Sequence, residues 1–355
     1  MATVCRYTLS FLAACMIPQL VQMFREVEAA YERIKDLVNH TPVMTSSTLN
    51  VMTDAQCFLK CENFQKTGAF KFRGALNALS QLAPEQKRKG VITHSSGNHA
   101  QALALAAKLL GIRAVVVMPE NASPAKVAAT KSYGAEVVLC GSHPSDREKA
   151  VIPLIEEWGY TLIHPSNDLE IIAGAGTAAY ELVQEVNGLD WIFSPVGGGG
   201  LLSGTAIATK TLLPAAKVVG VEPAKANDAY QSFKAGKIIP VKNPNTIADG
   251  LRTSLGTNTF RIIREHVDQI ITVSEQEIVD AMQFLWERMK LVVEPSGAVS
   301  LAGLLSKQIK LSREKVGVII SGGNIDLTDF FDRLRLSTYS QITGGPSGVE
   351  NYGSC

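Results

Sequence analysis

A chain of 355 residues with 46 % hydrophobic and 19 % charged residues has the balance of a soluble globular protein and the length for two lobes. Its formal net charge is +1, with no run of five or six Lys or Arg, so the electrostatic basis for binding nucleic acid or a membrane surface is missing. Cys5, Cys15, Cys57, Cys61, Cys140 and Cys355 are scattered, without a C-x-x-C pair or a histidine placed to complete a zinc tetrad; they read as reduced thiols of a cytoplasmic protein.

Near the N-terminus, Thr8 to Ile17 is a short apolar run, too short to span a bilayer and followed by no A-x-A cleavage site. Residues 1–23 are set apart as an extension whose role stays open. QCFLKCE reads as a strand with Cys57 and Cys61 on one face, for packing. From Val91 short β-branched runs alternate with helical patterns: VITHS, NHAQALALAAKLLG, AVVVMP, PAKVAATKSYG and AEVVLCG. The rhythm returns in WIFSPV, GGGGLLSGTAIATKTL, VVGVEP, IITVS, EQEIVDAMQFLWERMKL and VGVIISGGN. Such alternation predicts an α/β fold, with parallel sheets covered by helices on both faces. No internal repeat and no Pro-rich linker divides the chain, so the lobes should be interwoven. Residues 337–355 are polar, glycine-rich and aperiodic, a flexible tail outside the fold.

Ligands of open α/β sheets sit beyond the carboxyl ends of strands, and three loops follow strands there: Ser95 to His99, Gly197 to Gly200 and Ser321 to Asn324. Gly197, Gly198, Gly199 and Gly200 lie between an apolar strand and a helical pattern. Bare backbone N–H groups at a helix start make a phosphate seat. No Lys-Ser/Thr follows, so this is not a nucleotide triphosphatase loop. Gly174 and Gly176 lie within a helical pattern, which fits close helix packing better than a dinucleotide fingerprint. Lys71, in QKTGAFKFRGA, stands at the start of an apolar helical run. Most such lysines are solvated; a buried one with a lowered pKa is a Schiff-base nucleophile, and a cofactor held that way needs a phosphate seat elsewhere.

The motifs FQKTGAFKFRGA, THSSGNHAQAL, SPVGGGGLLSG, VEPAKANDA, TIADGL and IISGGN follow one another in the chain. Together they resemble the fold-type II enzymes of pyridoxal 5'-phosphate (PLP), and within them the serine racemase and serine/threonine dehydratase branch, from roughly Val27 to Leu336. The resemblance implies a two-lobed, tryptophan synthase β-like fold, with a large PLP-binding domain from residues 24–89 and 167–336 and a small domain from 90–166. It implies a Schiff base on Lys71, Phe70 packed on the pyridine ring, Asn98 on the ring hydroxyl, and Gly197 to Gly200 on the phosphate. Ser321 would meet the pyridine nitrogen as a neutral partner, which makes the ring a weaker electron sink than an Asp would.

Ser95, Ser96, Asn98 and His99 belong, by the same resemblance, to the loop that grips the substrate carboxylate. Ser96 bears on the reaction type. Racemisation takes a proton from one face of the α-carbon and returns it to the other, and one lysine cannot reach both. Serine racemases carry a serine at this position and biosynthetic threonine dehydratases typically an alanine, although hydroxyaspartate dehydratases share the serine, and the alternative is that Ser96 serves only the carboxylate. His94 and His99 are read as loop hydrogen-bonders. Glu222 and Asp228, with the carbonyl of Ala226, would hold a divalent cation, Mg2+, Ca2+ or Mn2+.

The activity implied is interconversion of L- and D-serine together with elimination to pyruvate and ammonia, in a homodimer with ATP as an allosteric effector. A threonine or threo-3-hydroxyaspartate dehydratase is the alternative enzyme, and a PLP-binding protein the non-enzyme alternative. Ala69 and Ala100 replace a serine and a glycine common in animal serine racemases, and Ser166-Asn167 lies where the substrate-side loop varies. These departures bear on the substrate and leave the cofactor untouched.

Overall fold

The computed structural model describes residues 2–141, 144–240 and 242–327. Contacts group residues 1–324 into one compact unit and 325–355 into another; the elements below belong to the first. The strands are β1 (Val43–Met44), β2 (Gln56–Cys61), β3 (Val91–His94), β4 (Ala114–Pro119), β5 (Glu136–Cys140), β6 (Thr161–Leu162), β7 (Trp191–Pro195), β8 (Lys217–Pro223), β9 (Gln269–Val273) and β10 (Lys315–Ile320). They form a six-stranded sheet in the order β1-β2-β10-β7-β8-β9 and a four-stranded sheet in the order β5-β4-β3-β6. Apart from the antiparallel pairing of β1 with β2, every ladder is parallel. All of β4, and all but the first residue of β8 and β10, are buried. This is why these strands read as continuous apolar runs rather than alternating ones.

The helices are α1 (Ala2–Ile34), α2 (Ser47–Thr53), α3 (Lys71–Ser80), α4 (Pro84–Lys89), α5 (Asn98–Leu110), α6 (Pro124–Ser132), α7 (Pro144–Trp158), α8 (Leu169–Glu185), α9 (Gly200–Leu212), α10 (Asp228–Ala235), α11 (Thr257–His266), α12 (Glu275–Met289) and α13 (Pro295–Leu305). Helix α13 has no counterpart in the sequence reading. Residues 296–304 are all buried, so the segment lacks the polar face whose period marks a surface helix.

In α1, Phe24, Val27 and Ala30 bury against α8 residues such as Ile172 and Ala179, and Leu20 and Met23 pack on the same cluster. The end of the 1–23 segment is thus packed against the fold. Gly174 and Gly176 sit inside α8. A Cβ on Gly174 would lie 2.6 Å from the Arg73 carbonyl oxygen, and one on Gly176 would lie 3.0 Å from that of Gly204. They are close-packing glycines, through which α8 meets α3 and α9 backbone to backbone. The tail at 337–355 lies outside the described residues.

Candidate active site

The turn that delivers Lys71 is built from two residues in the left-handed region, Thr67 at φ 60° and Gly68 at φ 75°. A β-branched residue rarely takes that conformation, and here the surroundings hold it. The Gly323 N–H donates to the Gly68 carbonyl at 2.9 Å, and the Phe70 N–H donates to the Ser321 carbonyl at 3.1 Å. The Asn324 side-chain amide donates to the Thr67 carbonyl at 2.5 Å, and a Cβ on Gly68 would collide with that side chain. The loop after β10, with Ser321, is thereby stitched to the residues just before Lys71. Lys71 opens α3, and its Nζ donates to the Pro165 carbonyl at 2.6 Å. The same atom lies 5.1 Å from the centre of the Phe70 ring. Burial lowers the amine from 10.5 to about 8, which leaves it largely neutral in mildly alkaline solution.

The four glycines join β7 to α9. Gly199 has φ +85°, and a Cβ on Gly197 would lie 2.9 Å from the Leu251 Cα. On Gly198 a Cβ would strike the Ser166 Oγ, and on Gly200 it would lie 2.9 Å from the Ser166 carbonyl oxygen. No side chain caps the N-terminus of α9, so the N–H groups of its first turn remain for an anion. Pro165 and Ser166 are therefore the bridge: the Pro165 carbonyl touches the Lys71 amine and Ser166 touches the glycines. A nucleophilic amine beside an anion cradle that no side chain can fill fits a phosphate-bearing aldehyde.

The bridge is itself fixed. The His164 N–H donates to Asp168 Oδ2 at 2.7 Å, and His164 Nδ1 accepts from the Ser166 and Asn167 amides at 3.1 and 2.9 Å. Burial, then His94, then Lys71 lower the His164 imidazole to about 4, so it stays a neutral acceptor. Asn167 is turned away from the glycines: its Oδ1 accepts from the Asn258 amide at 2.9 Å, at the start of α11.

In the loop from β3 to α5, the Ser95 N–H donates to the Val117 carbonyl at 3.1 Å, and its Oγ accepts from the Gly97 amide at 3.4 Å. Ser96 is half-buried. Asn98 donates from Nδ2 to Glu294 Oε1 at 2.6 Å and accepts at Oδ1 from Asn324 at 2.9 Å. Burial, then Asp249, push Glu294 up to about 8, against the pull of the Asn98 hydrogen bond. His99 lies in the first turn of α5, 2 % exposed, with a hydrogen bond to the Ile163 backbone acting on its ring. Burial, then Lys71, hold it well below the usual histidine range. The His94 and His164 rings meet edge to face at 5.9 Å. Among the described residues no three His, Cys, Asp or Glu side chains converge as a metal cluster.

The acidic pair stands apart. Glu222 ends β8, and its two oxygens accept from the Ala229 and Tyr230 amides at 2.9 Å each. Neither oxygen of Asp228 meets a donor in good hydrogen-bonding geometry. Burial and then Asp228 raise Glu222 well above the carboxylate range; burial raises Asp228 to about 7, with Leu255 and Ser254 nearby offsetting it only in part. Ala226, in the short turn between them, is buried as well. Two buried carboxyls that resist ionisation side by side fit a hard cation shared with a backbone carbonyl.

Comparison with known proteins decides the family. Residues 34–322 match the family model described as pyridoxal-phosphate dependent enzyme. The chain belongs to this family. PLP is accordingly its cofactor. An L-threo-3-hydroxyaspartate ammonia-lyase of Saccharomyces cerevisiae is 53 % identical over 309 residues, 87 % of this chain and 95 % of the relative. A serine racemase of Schizosaccharomyces pombe is 52 % identical over 305 residues, 86 % of this chain and 94 % of the relative. The crystal structure of serine racemase from Dictyostelium discoideum superposes with a TM-score of 0.82 at 48 % identity, covering 85 % of this chain and 98 % of that one.

Three site groups escape the sequence reading. The Pro165 carbonyl is a backbone group that no residue type announces. His164 acts through its Nδ1 on its own loop. Glu294 had a signal, since it directly precedes Pro295 at the start of α13, the position where a helix-capping acid is expected.

Proposed function

We propose that this chain is a PLP-dependent enzyme that racemises serine and also eliminates water from it, yielding pyruvate and ammonia. The observation that carries the reading is the Lys71 amine on the Pro165 carbonyl, one residue from Ser166 against the glycine cradle; the Ser96 motif supports it. Bound PLP supplies an electron sink that makes the α-proton of an amino acid acidic. Lys71, neutral above about pH 8, takes that proton from one face. Ser96 returns a proton to the other, giving the opposite enantiomer. The amides of Gly197 to Gly200 would hold the phosphate, and Phe70, Asn98 and Ser321 would bind the pyridine ring. Ser95, Ser96, Asn98 and the backbone at His99 hold the substrate carboxylate. If the β-hydroxyl leaves instead, taking up a proton to depart as water, the unsaturated amine released is hydrolysed to pyruvate and ammonia.

A second reading is favoured by the hydroxyaspartate ammonia-lyase at 53 % identity and by Ala69 and Ala100: a dehydratase of threo-3-hydroxyaspartate or threonine without racemisation. Chiral analysis of the amino-acid pool after incubation with L-serine, beside keto-acid release, separates the two. D-serine should accumulate, and its absence while pyruvate forms would sink the racemase reading. Ser96→Ala should lower racemisation by about 100-fold or more and elimination from L-serine far less. Equal losses would leave Ser96 a carboxylate ligand only.

Glu222, Asp228 and the Ala226 carbonyl are assigned to Mg2+, Ca2+ or Mn2+. A homodimer, a cytoplasmic location and a response to ATP complete the proposal. No helix among the described residues is long and apolar enough to cross a membrane.

A further inference from the structure

Two residues beyond Lys71, Arg73 is wholly buried, and so are Lys60 and Glu62, while Glu181 is nearly so. Arg73 is gripped from two sides. Its Nε and Nη2 donate to the two oxygens of Glu62 at 2.7 and 2.9 Å. Its Nη1 and Nη2 donate to the two oxygens of Glu181 at 2.7 and 2.8 Å. Lys60 completes the set, 2.7 Å from Glu181 Oε2 and donating to the Thr41 carbonyl at 2.6 Å. Two cations and two anions leave the group neutral. Burial works against charge on Arg73, but Glu62 and then Glu181 outweigh it and hold its pKa above the usual guanidinium value.

Four charges in a core are a poor device for stability alone, because well-packed apolar side chains of the same volume do as well or better. What two bidentate grips do provide is a fixed guanidinium plane. Residues 71 and 73 stand about 200° apart around a helix, so Arg73 is anchored on the side of α3 away from Lys71. The anchor on one side is α8, which carries Glu181 and begins just after Pro165 and Ser166. The same two helices touch backbone to backbone at Gly74 and Gly174, and Asn77 Nδ2 donates to the Glu170 carbonyl at 2.7 Å. A roll of α3 by about 10° would move a side-chain tip by roughly 1 Å, and a misplacement of that size costs about 100-fold in rate.

We propose that Arg73, held between Glu62 and Glu181, is a positioning residue: it locks α3 in register with α8 and so fixes Lys71 against the Pro165 carbonyl and the glycine cradle. The inference rests on Lys71 being the cofactor-bearing base. It does not depend on which amino acid is turned over.

Two variants test it in the holoenzyme. Arg73→Lys keeps the charge and loses the fork; the double variant Lys60→Met with Glu181→Gln removes one cation and one anion, keeps the group neutral and leaves Glu62 as the carboxylate that holds Arg73. At matched cofactor content, both should lose roughly twofold or more of the visible circular dichroism of lysine-bound PLP, and kcat should fall about 100-fold while KM changes by less than about threefold. A lower Tm with unchanged dichroism and kcat would show a merely structural role and overturn the proposal. If Arg73→Lys does not fold, the double variant decides by the same readouts. Failure of the racemase reading leaves the dichroism test standing, since no substrate is present in it.

Discussion

Lys71 titrates at about 8 because burial alone acts on it, and the consequence can be read directly from cofactor capture. In protein stripped of PLP, the neutral fraction of the amine, and with it the initial rate of capture, should rise about tenfold per pH unit below 8 and level off above it. Stopped-flow absorbance checks this; a rate still climbing tenfold per unit at pH 9.5 would place the amine in solvent. Lys71 was legible as a residue because its motif and the glycines occur together. Arg73 was not, although it lies in the same motif, because an arginine two residues into a helix ordinarily reads as a solvated cation. Its partners, Glu62 and Glu181, are far from each other in the chain. Ser96 was legible in type and position, but its work depends on which face of the substrate it meets.

At the scale of elements, the strand-to-helix junction from β7 to α9 is the most constrained part of the site. Gly198→Ala would press a methyl group onto the Ser166 Oγ. Overpacking of this kind typically costs 1–3 kcal/mol, so PLP affinity should fall about 5- to 150-fold, measurable by equilibrium titration of the stripped protein. An unchanged affinity would mean that the cradle yields and that the phosphate is held elsewhere. The strands of both sheets were largely readable, since parallel buried strands give β-branched runs bounded by turns. The two-residue β6 was too short to leave a pattern, and α13, buried on all sides, presents no polar face to set its period.

For the molecule as a whole, the acidic pair links cation, pH and stability. Asp228 is raised from 3.8 to about 7 in the folded chain, and Glu222 is raised as well. Between those values the unfolded chain has lost a proton that the folded one keeps, so stability falls as pH rises through this window until the folded carboxyl also ionises near 7. A cation favours the charged form, so Mg2+ or Ca2+ should raise Tm more at pH 8 than at pH 5. Asp228→Asn should abolish that difference. Equal shifts at both pH values, or a response that survives the substitution, would remove the cation from this pair. The pair was visible in VEPAKANDA as two carboxylates after a strand, whereas its burial is a property of the packed molecule.

The position of β10 sets an order of events in time. This strand, the last of the described strands, lies between β2 and β7 in the large sheet, and the loop that follows it is hydrogen-bonded to the turn before Lys71. Until residues 315–324 have been synthesised, β2 and β7 are two unjoined edges and the turn at Thr67 lacks its contacts with Ser321, Gly323 and Asn324. A pairing between residues so far apart is slow to form, and open edges invite association with other chains. The cofactor site is therefore completed only once residues 315–324 are available, and a nascent chain that ends before them cannot draw on cofactor binding for stability.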